Sequence, residues 1–96
     1  MLFAVIRHDK QNSGGLRQSE RPRHLEYLEG VMGCITSGGA LLDDKGQQVG
    51  SILIIEAADR AAAEEFAAKD PYVGAGLFAS TYIGAFRSVF KDGARI

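Results

Sequence analysis

At 96 residues the chain has room for one domain with a single small core, and its 46% hydrophobic and 24% charged residues are those of a globular protein. A formal net charge of -1 supplies no field to draw in nucleic acid or an anionic membrane. Cys34 has no cysteine to pair with, and the start Met1-Leu2-Phe3-Ala4-Val5-Ile6-Arg7 is neither a signal peptide nor a membrane span, so a cytoplasmic protein is expected.

The first predicted strand runs from Leu2 to His8 and is apolar on both sides. Leu2, Ala4 and Ile6 point one way, and Phe3 and Val5 point the other. Lys10 to Arg17, with Ser13-Gly14-Gly15, is too polar to bury and reads as a loop. Ser19 then caps a predicted helix that tolerates Pro22 in its first turn. On that helix Leu25, Leu28, Val31 and Met32 share an arc, and Arg21 and His24 fall within it.

A weaker strand is expected from about Cys34 to Leu42, interrupted at Gly38-Gly39. Asp43-Asp44-Lys45-Gly46 forms the turn into Ser51–Glu56, a second strand apolar on both faces. A second helix starts at the N-cap Asp59 and runs through Arg60 to Lys69, with Ala62 and Phe66 inward. It must end at Asp70, because Pro71 excludes the helical conformation from the residue before it. Tyr82 to Phe90 is the last predicted strand. The order β-α-β-β-α-β specifies an α+β, ferredoxin-like domain over residues 1–96, with an antiparallel four-stranded sheet and two helices on one face. The other face is also apolar, so a second copy is expected to cover it, giving a homodimer of stacked sheets, a dimeric α/β barrel.

Two proton-transferring side chains stand out. His24 lies on an apolar helix face, where an imidazole packs, pairs or reacts. Asp70 lies where a helix must stop; it is either a terminator before Pro71 or the partner that orients His24. Arg21, one turn before His24, and Tyr72, just after Pro71, are candidates to hold a substrate oxygen. Ser37-Gly38 would let backbone or ligand approach closely, or mark a bulge. His8 and His24 have no metal-ligand spacing, and Gly74-Ala75-Gly76 lacks the lysine of a phosphate loop, so no metal or cofactor is expected.

The combination of Arg21-x-x-His24-Leu25, Ser37-Gly38-Gly39 and Asp70-Pro71-Tyr72 resembles the YciI-like (YCII-related) family over nearly the whole chain. The resemblance implies a dimeric ferredoxin-like fold similar to muconolactone isomerases and an active-site His–Asp pair at His24 and Asp70. One branch of that family is implicated in chloride elimination from a chlorinated hydroxyquinol. Here Gly38-Gly39-Ala40 replaces the Gly-Gly-Pro or Ala-Gly-Pro frequent in the family. Two functions fit. One is a cofactor-independent lyase or isomerase acting on a small oxygenated metabolite, with catalytic His24 and Asp70 and substrate held by Arg21, Tyr72, Ser37 and Gly38. The other is a non-catalytic binding or accessory domain using the same cleft.

Overall fold

The computed structural model describes residues Met1–Ile96. Strands β1 (Leu2–Asp9), β2 (Ile35–Leu42), β3 (Gln48–Glu56) and β4 (Phe78–Phe86) form one sheet in the order β2-β3-β1-β4. Every neighbouring pair is antiparallel. Helices α1 (Gly14–Val31) and α2 (Arg60–Ala68) make the two crossovers, and a single helical turn, α3 (Pro71–Gly74), follows α2. The arrangement is the ferredoxin-like α+β fold, each crossover returning two strands away so that β1 and β3 become the central pair. No helix is long and apolar enough to cross a membrane.

The strand register decides which apolar set meets the helices. Phe3 pairs with Ile55, Val5 with Leu53 and Arg7 with Ser51, so these six share one face. Phe3, Val5 and Ile55 are buried there against Ala63, Phe66 and Ala67 of α2. Leu2, Ala4, Ile6, Ile52 and Ile54 point to the opposite face and remain half-buried. The inner stripe of α2 therefore includes Ala63 and Ala67, with Ala62 at its margin rather than at its centre. Tyr27 of α1 donates a 2.7 Å hydrogen bond to the Phe66 carbonyl and ties the two helices together.

Three expectations from the sequence are corrected. Helix α1 begins at Gly14, not at Ser19, and Pro22 is inside it rather than in its first turn. Ser13 makes no side-chain cap; Arg17 instead clamps Asp9 of β1 through Nε and Nη2 at 2.6 and 2.8 Å. A tertiary ion pair thus replaces the local start signal. Strand β4 begins at Phe78 and ends at Phe86, because Asp9 and Leu2 of β1 are its last partners at either end. Phe90 belongs to a separate hairpin of β5 (Phe90–Lys91) and β6 (Ala94–Arg95). Strand β2 is continuous through Gly38-Gly39, and Gly38 is there for closeness: a Cβ would lie 2.6 Å from Leu53 Cδ2 and 2.7 Å from the Ile52 carbonyl.

Candidate active site

Asp70 is the hub of the site. Its backbone is extended (φ -64°, ψ 127°), as Pro71 requires, and Oδ1 accepts the Tyr72 N–H at 3.0 Å, capping α3. The same buried carboxylate lies 3.0 Å from His24 Nδ1 through both oxygens, and Oδ2 lies 3.0 Å from Arg7 Nη1. Asp70 therefore follows the end of one helix, caps the next and lies within hydrogen-bond distance of the imidazole.

Burial alone would push the Asp70 carboxyl up, but the His24 and Tyr72 hydrogen bonds and the Arg7 charge outweigh it and hold it below its ordinary value. An ionised carboxylate only accepts, so Nδ1 of His24 must carry the proton it donates. In the neutral ring that leaves Nε2 as the basic nitrogen. The ring is fixed on its flank by stacking on Tyr72, at 4.2 Å between centroids and 17° between planes.

Two guanidiniums frame this pair. Burial lowers the pKa of Arg7 from its ordinary value despite Asp70, and its Cζ lies 4.5 Å from the centre of the Phe78 ring. Arg17 sits 4.9 Å from the Tyr72 ring centre, and its backbone carbonyl accepts the Tyr72 hydroxyl at 3.2 Å. Burial would lower the pKa of Arg17, but the Asp9 bonds more than offset this and raise it. Burial chiefly raises the Tyr72 phenol. The cation that α1 places beside the site is Arg17, not Arg21, which is exposed and does not line the pocket. Helix geometry explains the difference: at about 100° per residue Arg17 lies only about 20° around the helix from His24, and Arg21 about 60°.

Arg7, Arg17, His24 and Tyr72 enclose a pocket of about 40 Å³ together with Leu28, Gln48, Ser51 and Leu53. A wider groove of about 430 Å³ opens beside it between α1 and β2, and Leu28 and Leu53 belong to both. Ser37 and Gly38 line this groove rather than the inner pocket, so the structure separates them from the dyad. A polar hollow of about 380 Å³ at the Lys10–Gly14 loop is apart from all of this, and its Asp9 is committed to Arg17. No three or more His, Cys, Asp or Glu side chains gather at any one point. Arg7, Arg17 and Ser51 escaped the sequence reading. Arg7 carried a signal, since it follows Phe3 and Val5 at the same alternating positions of β1.

The pattern of the YCII-related domain matches residues 1–87. The chain belongs to the YCII-related family. It is 33% identical to the protein YciI of Escherichia coli O6:H1 and 30% identical to an uncharacterized protein of Haemophilus influenzae, each match covering 94% of this chain and all of the relative. Among solved structures it is similar to the 5-chloro-2-hydroxyhydroquinone dehydrochlorinase TftG of Burkholderia phenoliruptrix AC1100, in complex with 2,5-dihydroxybenzoquinone. That likeness has a TM-score of 0.84 and 35% identity, and it covers 91% of this chain and 94% of TftG. An antibiotic biosynthesis monooxygenase shares the fold alone, with a TM-score of 0.53 and 18% identity over 93% of this chain and 99% of its own.

The Asp70 shell makes stability depend on acid. A carboxyl held below its ordinary value contributes stability that is fully present above the unfolded pKa, about 3.9, and lost as pH falls through the folded value. Asp70→Asn removes the titrating group. Urea melts should show a large gap between wild type and this variant at pH 6 and a smaller one at pH 3. An equal gap at both would show that Asp70 has no depressed pKa in the folded protein.

Proposed function

We propose that this YCII-related protein is a lyase or isomerase in which His24 moves a proton and Asp70 orients it. The observation that carries the reading is His24 Nδ1 bound to a buried, ionised carboxylate, with the ring lining a pocket. That arrangement leaves Nε2 as the base and stabilises the imidazolium once the proton is taken. Arg7 supports it by keeping Asp70 ionised, and the stack on Tyr72 limits rotation of the ring.

The likeness to TftG suggests the substrate class, a small oxygenated ring with a leaving group. The reacting unit is HO–C=C–C–X with a saturated X-bearing carbon, a form that an aryl halide reaches when the hydroxyl next to that carbon ketonises and its proton moves onto the carbon. His24 takes the remaining hydroxyl proton, and the O–H electron pair becomes the second bond of a carbonyl. The double bond shifts, and X departs with its bonding pair. The net loss is HX, with the proton held on His24 until solvent or product takes it. The same base with proton return at another carbon gives an isomerase. Tyr72 and the groove residues Ser37 and Gly38 would position the substrate, as would a second copy of the chain if it borders the groove.

A binding domain without catalysis is the competing reading, and the structural duties of Asp70 favour it. An assay separates the two. With 5-chloro-2-hydroxyhydroquinone and its unchlorinated parent, the wild-type protein should release chloride or change the absorbance spectrum above the uncatalysed rate. A compound that raises the melting temperature but is never consumed selects the binding domain.

A further inference from the structure

Proton transfer at His24 leaves hydrogen-bonding atoms of two inner-pocket residues, Arg7 and Ser51, unused. Arg7 and Ser51 are direct cross-strand partners on β1 and β3, so their side chains leave the helix-covered face side by side. Arg7 is only 1% exposed. Its Nη1 is near enough to Asp70 for an ion pair but not aligned for a hydrogen bond, and its Nε has no partner in the chain. Ser51 Oγ is also buried and unpartnered. Buried donors are rarely left so in folded proteins.

No group of the chain is hydrogen-bonded to Arg7 Nε or Ser51 Oγ. Asp70 already takes His24 Nδ1 and the Tyr72 N–H, and Asp9 is held by both nitrogens of the Arg17 fork. Gln48 donates its side-chain N–H to the Gly50 carbonyl, and its Oε1 makes no hydrogen bond to Arg7 Nε or Ser51 Oγ. A guanidinium can only donate, so what fits Arg7 is an acceptor, and charge favours an anionic one.

Size narrows the choice. The inner pocket of about 40 Å³ is close to the volume of one water, so it takes an oxygen substituent and not a ring. The space for a ring is the adjoining groove of about 430 Å³, walled by Leu25, Leu28, Met32, Ile35 and Leu53. Leu28 and Leu53 stand at the junction of the two.

We propose that Arg7 and Ser51 form an oxyanion subsite, which binds the ionised oxygen of a substrate whose flat apolar body lies in the α1–β2 groove. The inference rests on the reading of this pocket as a substrate site and adds the substrate's chemistry: a phenolate, enolate or carboxylate on a small apolar skeleton. Held there, the anion sits beside His24, and the oxygen that gains charge as a proton leaves remains paired with Arg7.

Calorimetric titration with benzoate, 4-nitrophenolate and neutral benzamide tests this. The better anion should bind at least about tenfold more tightly than benzamide, the advantage of a charge-assisted hydrogen bond. Whether benzoate or 4-nitrophenolate is the better anion tells a carboxylate from a phenolate. Ser51→Ala should weaken that anion by about three- to tenfold and leave benzamide unchanged. Arg7→Lys keeps the charge but loses Nε and the planar fork, and should weaken it further. If Arg7→Lys fails to fold, Ser51→Ala decides alone. His24→Ala separates this proposal from the catalytic one. An anion preference that persists in it belongs to Arg7 and Ser51, whatever happens to turnover. Equal binding of anion and benzamide, no binding of any probe, an unchanged Ser51→Ala, or loss of the preference in His24→Ala would each overturn the subsite.

Discussion

His24→Ala is expected to lower turnover by about 10²–10⁴-fold, the usual worth of a positioned proton-transfer group. The fold should survive. His24 lies at the rim of the core, and the larger duties of Asp70 persist without it, since the Tyr72 N–H and Arg7 still face the carboxylate. What is lost is one hydrogen bond and the stack on Tyr72. A change of about 1 kcal/mol shifts the melting temperature of a chain this size by about 4–8 °C. Turnover should therefore collapse while the far-ultraviolet circular dichroism stays that of the wild type, and added imidazole should restore part of the rate. Asp70→Asn should also lose most turnover by a different route. Its amide can donate to Nδ1, which places the proton on Nε2 and removes the base. Wild-type turnover in His24→Ala, on a substrate the wild type consumes, would remove His24 from the chemistry.

The dyad was legible in the sequence because both partners break local patterns. An imidazole interrupts an apolar helix arc, and Asp-Pro forces a helix end; the fold then brings the two within 3.0 Å. Strands β1 and β3 were legible because each is apolar on alternate sides, and Asp59 does cap α2 through the Ala62 N–H at 2.8 Å. What the sequence did not disclose depends on partners distant along the chain. The start of α1 is held by Arg17 on Asp9 rather than by a capping side chain. The ends of β4 follow from the length of β1 opposite it, so polar Ser80 and Thr81 are strand while Val89 is not. In the sequence Arg7 follows Phe3 and Val5 on one side of the first predicted strand, and its partner lies far along the chain. Only the return of Asp70 to the inner face turns it into a buried counter-charge.

The chain is expected to be a homodimer at micromolar concentration, joined through the sheet face that the helices leave open. Light scattering should give a mass near twice 10.3 kDa. On that face Ala4, Ile6, Ile52 and Ile54 form an apolar floor, and Tyr82 and Phe86 on β4 are 53% and 40% exposed. Tyr82 lies over Gly84, where even a Cβ would stand 2.2 Å from its hydroxyl, so the ring is laid along the sheet rather than out into water. Covering such side chains yields about 1.5–3 kcal/mol each, and a handful is enough to offset an association cost of about 4–15 kcal/mol. The hairpin after β4 adds Val89, Phe90 and Ile96, all exposed, as an arm able to reach a second copy. Two variants test the face. Tyr82→Lys changes a side chain already half in water, so the subunit should stay folded while the mass falls to that of one chain. Ile54→Lys, at the centre of the floor, should dissociate the dimer more completely and lower the melting temperature. A folded wild-type monomer, or a Tyr82→Lys protein that remains dimeric, would place the subunit contact elsewhere or nowhere.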